Sequence, residues 1–473
     1  MSKTITINNV TRIEGHAKIT LHLDDQGMVQ DAQFHVTQFR GFEKLCEGRP
    51  FYEMPSLMAR ICGICPVSHL LASAKACDDL MAVAIPKTAI KLRKILNMAQ
   101  IMQSHALSFF HLSAPDLLLG MDGDPASRNI FGLMKDHAQL VQDGIQLRKI
   151  GQEIIALLGG KRIHPSWVVP GGVNKPLSEE HRDQILASLG ECRPIIHRTL
   201  EIYKSIQANF KEEIQTFANF PSLFLGLVSP GGNLEFYDGN IRVADAARNT
   251  IADQIDTLDF NDYLEESVEK FSYLKSPYYK AFGYPDGIYR VGPLARLNII
   301  DRCGTPQADE EWAEFQGLQR GAVLSSFYFH YARLIEVLFC AEMMERLLQS
   351  KDILDPHVRA YAKPNSFEGI GVCEAPRGTL MHHYRINKNG KIEWANLVIA
   401  TGHNNLAMNR GVLQTARHFV KGEKIEEGML NRVEAVIRAF DPCLSCSTHA
   451  VGQMPLNIEL LSASGTLLDS VKR

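Results

Sequence analysis

The chain predicts a mainly α protein with small β elements, an α+β architecture around a large central helical bundle. Three observations carry this reading: helical apolar periodicity through most of residues 55–350, strict alternation near the N-terminus, and renewed strand character at residues 369–400. In chain order, residues 3–40 alternate apolar and polar around Asp24-Asp25-Gln26-Gly27, as in ITLHLDDQGMVQDAQFHV. This is the pattern of an N-terminal β-hairpin closed by a glycine-containing turn. Residues 87–112 place apolar side chains three and four apart, as one face of a long helix requires. Residues 193–218 and 311–349 repeat that signal. The latter contains AVLSSFYFHYARLIEVLFCAEMMERLL, apolar almost all round, which predicts a buried central helix. GGKRIHPSWVVPGGV at 159–173 is a Gly/Pro-rich loop between helical blocks. At 369–400 strand patterning returns, with Asn389-Gly390 as a hairpin turn. With no repeat, low-complexity segment or linker, the chain reads as one large helical domain with small β elements rather than three modules.

Composition narrows the function. Hydrophobic residues make up 45% and charged residues 22%, as in an ordinary globular protein. The net charge of −3 offers no field for nucleic acid or an anionic membrane. No apolar run approaches the roughly 18 residues that a membrane-spanning helix needs. The N-terminal MSKTITINNVTRIEGH shows neither a secretory h-region nor a twin-arginine pattern, and the ten cysteines are dispersed rather than arranged as a disulfide framework. A cytoplasmic, reducing location is expected.

Two cysteine pairs of identical spacing sit at opposite ends of the chain, Cys62-Gly63-Ile64-Cys65 and Cys443-Leu444-Ser445-Cys446, each followed by a histidine, His69 and His449. C-x-x-C points two sulfurs at one metal, and soft sulfur donors select zinc, iron–sulfur or nickel-type chemistry over magnesium or calcium. Zinc knuckles carry their second pair roughly 12–20 residues after the first. Here nearly the whole chain intervenes, which favours a functional centre assembled by the fold over a local staple. From spacing alone, a structural zinc site, an iron–sulfur centre and a catalytic centre all stay open. The flanks, Arg60 in RICGICPVSH and Asp441 in DPCLSCSTH, are chemistry that a structural zinc site does not need. The other six cysteines, Cys46, Cys77, Cys192, Cys303, Cys340 and Cys373, lack partners at ligand spacing and are expected in the core.

RIEGH (12–16), RGFE (40–43), RICGICPVSH (60–69), APRG (375–378) and DPCLSCSTH (441–449) together resemble, in order, the motifs of [NiFe]-hydrogenase large subunits. RGFEKLCEGRPF and ATGHNN are most similar to the cytoplasmic bidirectional, NAD-linked branch. The resemblance implies heterolytic H2 cleavage at a centre of nickel and of iron carrying carbon monoxide and cyanide. Cys62 and Cys443 would be terminal nickel ligands, with Cys65 and Cys446 bridging to iron. Glu14 would accept the proton beyond Cys443. Arg377 would face the metals, held by Asp441 and Asp116. Pro376 and Thr401 would line the diatomic-ligand pocket, with the Thr401 hydroxyl on a cyanide, and His69 would bond the sulfur of Cys446. A magnesium site is implied at Glu43, His449 and the Leu397 carbonyl.

The resemblance also implies partners: an iron–sulfur small subunit, diaphorase subunits, a maturation chaperone, nickel-insertion factors and an endopeptidase. No G-x-G-x-x-G follows a strand, so NAD chemistry is expected on a partner. Residues 450–473 would be a pro-extension removed after His449, making this chain the metal-free precursor. In that state the two cysteine pairs are expected apart, with MPLNIELLSAS pairing as a strand on the N-terminal hairpin. Two alternatives accompany the reading: a quinone-site subunit of the complex I type, whose class does not hold nickel with these cysteines, and a structural zinc scaffold.

Overall fold

The computed structural model describes residues 3–421, 424–449, 457–462 and 466–472. At the N-terminus Lys3–Asn8, Ala17–Leu23 and Val29–Val36 form a three-stranded antiparallel sheet, one strand more than the predicted hairpin. Its turn is built as the sequence suggests: Asp24 accepts hydrogen bonds from the backbone of Gln26 and Met28, and Gly27 takes a positive φ.

Four long helices make the bundle. Lys87–Ala106 packs on Ala138–Gly159 and Phe329–Leu348, and Glu179–Ile206 packs on the latter two. The apolar helix Phe329–Leu348 is buried without interruption from Phe329 to Ala341. The helical prediction for 311–349 divides there: Pro306–Gly317 and Phe329–Leu348 are separate helices. Helix Lys87–Ala106 continues as a π-helical turn over Leu107–Ser113.

Residues 223–290 depart from the predicted helical block. Leu223–Val228, Asn240–Ala244, Thr250–Ile255 and Tyr289–Arg290 form a four-stranded sheet. LFLGLV is buried along its length, and a short, continuously apolar run has no period to separate strand from helix.

The element that places the chemistry is the helix Pro66–Met81, which begins one residue after Cys65. It lies antiparallel along the strand Glu368–Ala375: Cys373 Sγ reaches Ser68 O at 3.5 Å, Gly371 faces Ala72 and Gly369 faces Ala76. A Cβ on Gly371 would sit 2.0 Å from Ala72 O, so only glycine lets helix and strand approach. Followed upward, this register brings the helix N-terminus beside Ala375-Pro376-Arg377. That segment turns the chain from Glu368–Ala375 into Gly378–Ile386, and Ile392–Val398 completes the sheet. One apolar core extends from Ile7 to Cys446. Among the described residues no helix is long and apolar enough to cross a membrane.

The tail differs from expectation. Asn457–Leu461 pairs antiparallel with Leu467–Lys472, so its strands satisfy each other rather than joining the N-terminal sheet. Residues 454–456 and 463–464 of the expected strand lie outside the described residues.

Candidate metal centre

The second cysteine pair is delivered by the helix Glu427–Phe440, which ends in a left-handed residue, Asp441. It meets the first pair from the other end of the chain. Cys62 Sγ lies 3.4 Å from Cys443 Sγ, Cys65 Sγ lies 3.6 Å from Cys446 Sγ, and Cys443 and Cys446 are 2.6 Å apart. All four sulfurs fall within 4.8 Å of one another and are buried. The two pairs therefore converge with residues beyond His449 present, contrary to the expectation that the tail holds them apart.

Hydrogen bonds explain the convergence. Cys443 N donates to Thr401 Oγ1 at 2.9 Å. Leu444 N donates to Glu14 O at 3.2 Å, and Ser445 N to Glu14 Oε2 at 3.0 Å. The TRIEGH segment is itself anchored, Thr11 to Glu434 and Arg12 to Leu112 O and Asp116. Gly15 has φ +88°, and a Cβ there would lie 2.7 Å from Leu444 Cβ. The two segments thus meet at van der Waals contact.

The surroundings are electropositive. Ile64 N and Cys65 N donate to Cys62 Sγ at 3.2 and 3.3 Å. Cys65 precedes the helix Pro66–Met81, whose N-terminal dipole favours a thiolate. In the sulfur quartet, hydrogen bonds from Cys443, Cys446 and Cys62, with a further one from His69, hold Cys65 well below the usual thiol range. Burial pushes Cys443 and Cys446 well above it. Arg377 is 3% exposed; its Nε donates to Asp441 O at 2.5 Å and its Nη2 to Asp441 Oδ1 at 3.2 Å. Burial works against its charge, but Asp441 and the sulfurs of Cys443, Cys65 and Cys62 outweigh it and hold the guanidinium above its usual range. Pro376, Arg377, Thr401, His69, Cys65, Cys443 and Cys446 share one small closed cavity.

One sequence expectation changes and two gain detail. Asp116 does not touch Arg377. It binds Arg12 at 2.5 Å and lies 3.4 Å from both Arg128 and Arg438, because its short helix Ala114–Leu119 faces the TRIEGH strap. The Thr401 hydroxyl oxygen accepts from Cys443 N at 2.9 Å, and its O–H remains to donate. His69 bonds Cys65 and His382 and lines the same cavity as Cys446.

At the predicted second site, His449 Nδ1 contacts a Glu43 carboxylate oxygen. The helix Phe42–Cys46 carrying Glu43 packs on the strand carrying Leu397. Burial opposes the Glu43 charge, but the hydrogen bond and charge of His449, with the backbone and Lys275, together outweigh it and lower the carboxyl. Arg60 is exposed rather than buried with the sulfurs, and the six remaining cysteines are buried singly.

Sequence reasoning missed the support beneath APRG. Arg296 pairs with Glu336 and Glu374 and donates to the carbonyls of Ala375 and Pro376, with all three charged side chains fully buried. His105 adds a 2.7 Å bond to Glu336. A carboxylate directly before APRG, Glu374, was the available signal.

Comparison with known proteins bears on this site. The nickel-dependent hydrogenase family matches residues 40–122 and 235–449, and a HoxL-like pattern matches residues 4–39. The chain is 42% identical to the NAD-reducing hydrogenase HoxS subunit beta of Cupriavidus necator, covering 100% of both. It is 41% identical to the vhc F420-non-reducing hydrogenase chain of Methanococcus voltae, covering 95% of this chain and 96% of that one. An NAD+-reducing [NiFe]-hydrogenase solved in the H2-reduced state superposes with a TM-score of 0.92 at 43% identity, over 94% of this chain and 99% of that one.

Proposed function

This chain belongs to the nickel-dependent hydrogenase family, and from that premise we propose that it is the large, catalytic subunit of a [NiFe]-hydrogenase. The observation that carries the reading is the buried quartet Cys62, Cys65, Cys443 and Cys446, assembled from both ends of the chain. Four converging sulfurs with no carboxylate among them fit soft metals, nickel and iron. When bound, such a centre supplies the Lewis-acid and redox chemistry that polarises H2.

The chain's own residues do the rest. Glu14 is bonded to the segment that carries Cys443, so a proton on the Cys443 sulfur has a carboxylate as its next carrier. Arg377, fixed by Asp441, places a permanent positive charge over the cavity and offsets the thiolates. Pro376 and Thr401 wall that cavity, where carbon monoxide and cyanide on the iron would be accommodated. Burial of the quartet keeps bulk water from the reacting atoms. Glu43, His449 and the Leu397 carbonyl offer one carboxylate, one imidazole and one carbonyl, a set that suits magnesium retaining waters.

We assign electron exit to an iron–sulfur partner, since no second cysteine cluster lies among the described residues. The C. necator relative is named NAD-reducing, and NAD through a diaphorase module in the cytoplasm is our reading here. Maturation by chaperone, nickel insertion and cleavage after His449, leaving residues 1–449, belongs to the same proposal.

Glu14→Gln tests it. The amide retains an oxygen for Ser445 N but cannot carry a proton. H2-dependent dye reduction should fall by about 10²-fold or more while nickel and iron stay near wild type. Turnover at the wild-type level would refute the assignment.

A further inference from the structure

The side of His69 away from the sulfurs is occupied by a chain of hydrogen bonds. His69 Nδ1 lies 3.2 Å from His382 Nε2, His382 Nδ1 lies 2.6 Å from Tyr384 Oη, and Tyr384 Oη lies 2.9 Å from Ser73 Oγ. His69, His382 and Ser73 are at most 1% exposed, and Tyr384 is fully buried. Two secondary-structure periods make this possible. His69 and Ser73 stand four apart on the helix Pro66–Met81, and His382 and Tyr384 two apart on the strand Gly378–Ile386, so each pair shares one face.

Neutral imidazole has one N–H and one lone pair. Burial, reinforced by the neighbouring His69, keeps His382 well below the ordinary histidine range and therefore neutral. Engaged at both nitrogens, it must donate at one and accept at the other. A metal-bound thiolate has only lone pairs to offer, so whatever faces it must donate. That requirement runs the chain in one direction. His69 Nε2–H faces the sulfur, His69 Nδ1 accepts from His382 Nε2–H, His382 Nδ1 takes the single Tyr384 hydroxyl proton, and the Ser73 hydroxyl, free to rotate, must then turn its own proton to Tyr384 Oη.

We infer that His382 is a positioning residue: through it, the Tyr384 hydroxyl fixes the tautomer and ring orientation of His69 at the sulfur site. The inference deepens the proposed metal site and rests on its four thiolates, but it does not depend on nickel, iron or turnover. The coupling is its distinctive content. Tyr384 does not touch His69, yet its hydroxyl decides which nitrogen of His69 carries the proton.

The test is nitrogen-15 spectroscopy of the histidine rings in the full-length chain loaded with zinc, a diamagnetic probe that holds the cysteines as thiolates. In the wild type, His69 and His382 should each show a protonated Nε2 and a bare Nδ1. Tyr384→Phe keeps the ring packing and removes the donor; His69 should then lose its single tautomer, two links away. Ser73→Ala, beyond the donor, should leave both histidines unchanged. Three results overturn the inference: a proton on Nδ1 of either wild-type ring, unshifted His69 signals in Tyr384→Phe, or Ser73→Ala disturbing His69 as much as Tyr384→Phe. Should Glu14→Gln retain full turnover while these shifts appear, the catalytic reading fails and the positioning role stands.

Discussion

Gly15→Ala should disable the metal centre although Gly15 holds no chemical group. Residue 15 sits at φ +88°, and the new Cβ would lie 2.7 Å from Leu444 Cβ. Carbon atoms rest at about 3.5–4.0 Å, so the strap and the Cys443 segment must separate by about 1 Å. Placing an L-residue in left-handed backbone costs about 1–2 kcal/mol. Overpacking adds about 1–3 kcal/mol. The strain falls where Leu444 N and Ser445 N bond Glu14, bonds of 3.2 and 3.0 Å that have no slack for such a shift. The expected outcome is nickel content below half of wild type after maturation with its partners. Turnover per nickel should also fall, because Glu14 moves away from Cys443. Gly27→Ala is the control: its φ is +79° with nothing within 4 Å of the added Cβ, so it carries the backbone cost without the collision. The assay pairs metal analysis with H2-dependent dye reduction. Gly15→Ala with wild-type nickel and turnover, or Gly27→Ala losing as much as Gly15→Ala, would refute the account of the strap.

Two further predictions concern acid stability and the tail. Burial lowers His105 to about 4 and both His330 and His403 to about 3, from 6.5 in the unfolded chain. The unfolded state therefore binds protons first as pH falls, and stability that is complete above pH 6.5 is lost progressively below it. Between pH 6.5 and about 5 each contributes a loss of about 2 kcal/mol, so the melting temperature should be flat above pH 7.5 and drop by pH 5; a flat profile across that range would contradict the neutral assignment. For the tail, nickel loading in the presence of the endopeptidase should yield a chain whose intact mass ends at His449, and a nickel-loaded, active chain still carrying residues 450–473 would exclude the processing step.

How much was legible depended on whether a feature is local or assembled. The cysteine pairs could be read because C-x-x-C is a local geometry, and their distance along the chain already demanded a fold that returns to its start. Asn389-Gly390 and Asp24–Gly27 could be read because turn chemistry acts within four residues. Ionic partners could not. Asp116 was expected at Arg377, but a buried carboxylate goes to whichever guanidinium the packing presents, and here Arg12, Arg128 and Arg438 arrive from three separate segments. The strands Leu223–Val228 and Asn240–Ala244 were hidden for another reason: burial on both faces erases the alternation that would have disclosed them.

The error about the tail is the most instructive, because it treated convergence of the cysteines as something that cleavage or metal must bring about. The structure locates the cause upstream of Cys443, in Glu14 and Thr401, which bind the backbone of residues 443–445. None of these bonds involves a residue beyond His449, so the bonds that bring Cys443–Ser445 to the first pair do not require the tail. A tail that leaves the sulfurs in place can act only on access or on His449 itself, whose imidazole already meets Glu43. Cleavage after His449 would then convert the peptide carbonyl of that residue into a carboxylate beside the Glu43–His449 contact, adding one oxygen donor and one negative charge where a magnesium ion is proposed. The proposed processing would then complete the oxygen-ligand site rather than the sulfur site.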